Sequence, residues 1–273
     1  MIKVACCIPG SLPPETGYAP ISHYETLLFG YRYLRECGFD TVETSVGFVL
    51  KLTDGERQAL LDLKERGEFE IAVCNCMLPG GYSITGEDDP TRLYAYLDDA
   101  FEKVASLEIP IIVFGSGGAR RIPDGADSKV CEERIFAFLR HCNALGERYG
   151  ITVALEPLHK GETNWINHLT EGEAFVRALD LPHIRLLADG YHMAKEGDDP
   201  LSLAKVSDIL VHAHLAEVTK RHAPGTYGGR YEIEFLQELK KSGYNGTVTC
   251  ECGFRNFVED TPATAKFMKS IVQ

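Results

Sequence analysis

Four side chains able to bind a metal ion, Glu156, Asp189, His214 and Glu251, each stand at or near the carboxyl end of a separate β-like run. The runs read VALEP, IRLLADGYH, ILVHAHLAE and TVTCECG. In a parallel βα barrel such strand ends converge on one pocket, so residues far apart in sequence can share one ion. Two Glu, one Asp and one His make a mainly oxygen, charge-rich site. That set suits Mn²⁺, Mg²⁺ or Co²⁺ better than a thiolate-type zinc centre.

The elements needed to position them are legible. Strand-like runs fall at Ile2–Ile8, Thr41–Val46, Glu70–Cys76, Ile109–Phe114, Thr152–Glu156, Ile184–Asp189, Ile209–His214 and Thr247–Glu251. Helix-like segments alternate with them at His23–Cys37, Thr53–Arg66, Thr91–Leu107, Lys129–Tyr149, Thr170–Leu179, Pro200–Val206, Ile233–Ser242 and Thr261–Val272. Gly38, Gly67, Gly150 and Gly243 follow helical stretches as C-caps would. Eight strands, each followed by a helix, predict an α/β fold of one domain over residues 1–273, a (β/α)8 TIM barrel. A doubly wound sheet alternates strand and helix too, but it collects functional residues near one switch point. Here they end strands five through eight.

Further candidates lie just past these strand ends. Glu162 and Asn164 follow Glu156 in a loop, and a carboxylate such as Glu156 ending a barrel strand is poorly explained unless it binds something. Asp189-Gly-Tyr-His192 turns so that His192 can face the same pocket. Strand alternation puts His212 and His214 on one side, with His214 nearer the mouth and His212 deeper, in a hydrogen-bonded core role or another. Glu217, Lys220, Arg221 and the Pro224-Gly225-Thr226 turn then form a charged loop.

This combined pattern resembles the xylose isomerase-like barrel superfamily, in particular the sugar-phosphate isomerase/epimerase branch related to tagatose and psicose 3-epimerases. The resemblance is sharpest from Val153 to Glu251. It implies one divalent metal held by Glu156, Asp189, His214 and Glu251, with manganese the first choice. It also implies a substrate-side Glu and His at Glu162 and His192, and an Arg whose place falls on Lys220 or Arg221. A metal bound to a ketose carbonyl and its neighbouring hydroxyl acidifies the adjacent C–H and stabilises an enediolate. Glu156 and Glu251, one on each face of the sugar, would be the proton acceptor and donor. Return of the proton to the opposite face inverts a stereocentre; return to the neighbouring carbon isomerises aldose and ketose.

Three other features compete for attention. Phe114-Gly-Ser-Gly-Gly-Ala-Arg-Arg121 follows strand four, where its glycines and Arg120 or Arg121 are placed to hold an anion, unless it is a tight turn with two solvated arginines. It lacks the P-loop signature, so no nucleotide is implied. Trp165, the only tryptophan, is either a wall of the sugar-binding mouth or a packed loop aromatic. Glu43, near the end of strand two, is matched equally by a salt bridge inside the barrel.

Rival readings follow from the same scaffold. A type IV AP endonuclease needs extra histidines after strands two or three and an Asp-x-His after strand seven, which this chain lacks. A metal-dependent lyase, either a C-glycoside deglycosidase acting on 3-oxo sugars or an inosose-type dehydratase, would use the same metal and bases, with His159 as an added acid or base. A non-enzymatic barrel that binds a sugar or a partner protein would be expected to have an incomplete ligand set, and all four positions are filled.

Composition bounds the rest. A chain of 273 residues matches one barrel, which takes about 250. A formal charge of -12 disfavours a nucleic-acid surface. Nine cysteines without a C-x-x-C pair read as reduced thiols. MIKVACCIPG reads as a first strand rather than a signal peptide, and no apolar run is long enough to span a membrane. The expectation is a cytoplasmic enzyme acting on a carbohydrate without nucleic-acid or membrane partners, and, from the resemblance, a homo-oligomer.

Overall fold

The computed structural model describes residues 1–86 and 89–273. Eight strands, β1 (Lys3–Cys7), β2 (Thr41–Ser45), β3 (Ile71–Asn75), β4 (Ile111–Phe114), β5 (Thr152–Leu155), β6 (Ile184–Asp189), β7 (Leu210–Leu215) and β8 (Thr247–Cys250), close into a barrel in chain order. Every neighbouring pair is parallel, including β1 with β8, where Lys3 pairs with Thr247 and Cys6 with Cys250. The expected (β/α)8 TIM barrel is therefore the fold.

Side-chain parity explains how the barrel carries its site. Residues alternate in and out along a strand. On β5, Val153 and Leu155 join the large core between strands and helices, whereas Ala154 joins a small separate cluster with Val73, Val113 and Leu187. That cluster plugs the barrel. Two residues further along, the same inward parity delivers Asn75, Gly115, Glu156 and Asp189 toward the mouth. Glu43 on β2, His212 and His214 on β7 and Thr249 on β8 are likewise buried among these strands.

The helices agree with their sequence signals to within a few residues. Asp54–Glu65 begins with a complete capping box between Thr53 and Glu56, and Gly150 ends Ser128–Tyr149 in the left-handed conformation, at φ 71°. The final helix starts earlier than expected, at Phe257 rather than Thr261. Pro262 lies inside the helix, and Asn256 accepts from the N–H groups of Val258 and Glu259 and caps it one turn before Thr261. Three short helices, Val46–Val49, Gly117–Arg120 and Gly190–Glu196, were not anticipated. Each begins within three residues of a strand end and is too short to show a period. Pro200–Val206 divides into a 3₁₀ turn, Pro200–Ser202, and a single helical turn, Leu203–Val206.

Candidate active site

The four carboxylate and imidazole residues meet. Glu156, Asp189, His214 and Glu251 each offer a ligand-type atom, all within 4.8 Å of one another. His214 Nδ1 lies 3.3 Å from Glu156 Oε1 and 3.9 Å from Glu251 Oε2. Asp189 serves twice over. Its Oδ1 accepts from the N–H groups of Tyr191 (2.6 Å) and His192 (3.2 Å), capping the helix Gly190–Glu196. The other oxygen stays free for the cleft, 3.8 Å from His192 Nε2.

Beneath this quartet lies a residue the sequence reading set aside. Glu43 is fully buried, and its carboxylate accepts from His212 Nε2 at 2.9 Å and from His214 Nε2 at 3.0 and 3.2 Å. Holding the Nε2 proton of His214 leaves Nδ1 as the nitrogen facing Glu156 and Glu251. A carboxylate behind a ligating histidine fixes its tautomer and ring orientation in this way. His212 is the deeper, hydrogen-bonded residue. The signal for Glu43 was available: in TVETS its parity is inward, where an acid requires a partner.

Electrostatics bind the group together. Burial raises the Glu156 carboxyl to about 8; His214 works against the rise, and the charges of Glu251 and Asp189 add to it. Burial also raises Glu251, despite His214 and Arg221. Asp189 moves the other way: burial opposes ionisation, but His192, His214 and Arg221 outweigh it and hold the carboxyl low. His214 is raised although burial opposes its charge, because Glu43, Glu251 and Glu156 surround it. Such a cluster, crowded with carboxylates around one imidazole, is a donor set whose charge a divalent cation would balance. Three carboxylates and one imidazole nitrogen match the hard-to-borderline divalent ions.

The quartet opens into a cleft of about 480 Å³ at the carboxyl ends of the strands, lined among others by Asn75, Cys76, Glu162, His192, Arg221 and Cys252. Arg221 forks across it, donating from Nη2 to Glu251 Oε2 at 2.6 Å and from Nη1 to Glu162 Oε1 at 3.0 Å, with its guanidinium over the Tyr191 ring. Lys220, the alternative at this position, points into solvent and does not line the cleft. Both residues take left-handed backbone, φ 61° and 51°, a local strain often found at functional loops. Glu217, expected over the mouth, is buried and accepts from the Tyr227 N–H instead.

Two expectations need correction. Trp165 does not wall the cleft; it is buried, set edge-on against Phe175. Arg120 is no anion clamp. Fully buried between the rings of Phe114 and Trp165, it donates from Nη2 to the Glu156 carbonyl at 2.5 Å, and burial lowers its pKa to about 10. Arg121 is exposed. The glycines of this loop make room rather than cradle an anion. A Cβ on Gly115 would overlap Glu156 Oε2, and one on Gly117 would lie 2.8 Å from the Glu162 carbonyl oxygen. Asn75 and Cys76, also missed, enter because β3 stops at Asn75 and Cys76 turns into left-handed backbone at the rim.

Among the described residues no helix is long and apolar enough to cross a membrane. The family profile described as Xylose isomerase-like TIM barrel matches residues 31–271. The chain is 26% identical over 239 residues to 3-dehydro-D-guloside 4-epimerase of Escherichia coli (strain K12), covering 83% of this chain and 87% of that protein. It is 31% identical over 127 residues to D-psicose 3-epimerase of Ruminiclostridium cellulolyticum, covering 46% and 42%. The solved apo structure of 3-keto-D-glucoside 4-epimerase from E. coli superposes with a TM-score of 0.80 at 21% identity, over 99% of this chain and 100% of that one. With its closed eight-stranded barrel and these matches, the chain belongs to the xylose isomerase-like TIM-barrel family, among relatives that are sugar epimerases.

Proposed function

We propose that the protein is a divalent-metal-dependent epimerase of a sugar bearing a carbonyl next to the inverted carbon. One observation carries the reading: Glu156 and Glu251, at the ends of β5 and β8, flank His214 in one cleft. A carboxylate beside a carbon acid can accept its proton and return it. A divalent ion, Mn²⁺ in our reading, would be held by Glu156, Asp189, His214 and Glu251 and would supply positive charge beside the sugar carbonyl.

The chain's own residues do the remainder. One of Glu156 and Glu251 removes the proton on one face of the sugar, and the other returns it on the opposite face. Arg221 bridges Glu251 and Glu162 and offers N–H donors to sugar oxygens. His192, buried at the cleft wall, provides a polar contact from the side of β6. The named relatives invert carbon 4 of a 3-dehydro-guloside or carbon 3 of a ketose. In each case the inverted carbon adjoins a carbonyl, which is the substrate class we assign.

The test is incubation of the Mn²⁺-loaded protein in D₂O with 3-keto-glycosides and free and phosphorylated ketoses, read by NMR. A new diastereomer carrying one deuterium at the inverted carbon supports the reading. Loss of the aglycone or of water would move the assignment to a lyase. Label moving between C1 and C2 would move it to an aldose–ketose isomerase.

A further inference from the structure

We propose that His159 is a positioning residue that sets the tautomer of His192, so that His192 presents an N–H donor to the substrate. The inference rests on the epimerase reading for its consequence, though not for its geometry. His192 Nδ1 faces two groups of His159 at once: the backbone N–H at 3.1 Å and the side-chain Nδ1 at 2.8 Å. A backbone N–H only donates, so His192 Nδ1 must accept. The proton of the neutral ring then sits on Nε2.

That nitrogen is buried, has no hydrogen-bond partner among the described residues, and belongs to a side chain lining the cleft. A buried donor left unmet is costly unless a ligand completes it. His192 therefore selects an oxygen that accepts, such as a carbonyl or a developing alkoxide, over a hydroxyl that must donate.

His159 is itself held for this task. Its ring stacks on His192 at 5.0 Å between centroids and meets Tyr191 edge-on at 5.7 Å. Its Nδ1 lies 3.8 Å from Glu162 Oε1. Since His192 Nδ1 accepts, the 2.8 Å contact requires His159 Nδ1 to carry the proton. Space for the ring comes from Gly161, where a Cβ would lie 2.7 Å from His159 Nε2.

The experiment combines ¹⁵N-histidine NMR of the Mg²⁺-loaded protein with kinetics on the best substrate of the panel. In the wild type, His192 is expected as the pure Nε2–H tautomer. His159→Phe keeps the stack and removes the side-chain donor. The backbone N–H at 3.1 Å then remains as the one donor to His192 Nδ1, so Nε2–H should stay the major tautomer while a minor Nδ1–H form appears, with about a tenfold lower kcat/KM, the scale of one hydrogen bond, and Mg²⁺ affinity unchanged. His159→Asn, which restores a donor, should recover most of the loss, and Gly161→Ala, which displaces the ring, should resemble His159→Phe. A wild-type His192 protonated on Nδ1 would overturn the proposal. So would a His159→Phe protein unchanged in both tautomer and kinetics, or one that loses metal affinity and gains nothing from Asn. If the tautomer pattern holds but no panel sugar reacts, the epimerase reading fails and the positioning role stands.

Discussion

Replacing Glu43 by Gln probes the site from beneath, without touching a residue that faces the cleft. The carboxylate now meets two imidazole N–H groups, with contacts of 2.9 Å to His212 and of 3.0 and 3.2 Å to His214. An amide offers one acceptor oxygen and one NH₂, so one imidazole must face a donor. If that ring is His214, its proton moves to Nδ1, the nitrogen turned toward Glu156 and Glu251, and it ceases to be a ligand. Loss of such a supporting carboxylate weakens metal binding by about 10–100-fold, or about 1.4–2.7 kcal/mol. If His212 is left unmet instead, the cost falls on folding, about 1–3 kcal/mol for a buried polar group. Isothermal titration with Mn²⁺ and thermal unfolding of the metal-free protein read the two separately. A folded Glu43→Gln protein within twofold of wild-type Mn²⁺ affinity and equally stable would refute the reasoning.

Four further outcomes are expected. Because burial raises Glu156 to about 8, the folded metal-free chain holds a proton that the unfolded chain releases near the ordinary Glu value. Its stability therefore falls as pH rises from about 5 to 8, at a slope of up to about 1.4 kcal/mol per pH unit. Affinity for a divalent ion rises over the same window, since binding expels the proton, and titrations in buffers of different ionisation enthalpy count it. Gly115→Ala should leave the fold intact but push Glu156 aside, lowering Mn²⁺ affinity and turnover together, as calorimetry and kinetics on the same sample would record. Trp165→Ala should cost about 3–5 kcal/mol of stability with KM nearly unchanged, because the ring packs on Phe175 and Arg120 and not on substrate; a raised KM in a stable protein would return Trp165 to the cleft.

The barrel was legible because its strands are short apolar runs of similar length, separated by helices with clear caps. Glu156, Asp189 and Glu251 were legible for a related reason: a carboxylate that ends such a run has no bland explanation. Glu43 was harder to read. TVETS carries four polar residues of five, and only the closed barrel shows that Glu43 faces two imidazoles from β7, across the interior. Choosing Arg221 over Lys220 needed the backbone, since two successive left-handed residues decide which side chain turns inward. Arg120 and Trp165 misled because a cation beside glycines and an aromatic beside a sugar site have familiar surface roles. Here the guanidinium packs over the indole behind the Glu156 strand end.

The claim on which the account depends is that Glu156, Asp189, His214 and Glu251 hold one divalent ion. Titration of the metal-free protein with Mn²⁺, followed by electron paramagnetic resonance of the free ion, tests it most directly. One tight site per chain is predicted, lost in folded Asp189→Asn and Glu251→Gln proteins and kept in Arg221→Ala. No tight site in the wild type, or a site indifferent to both ligand substitutions, would contradict it.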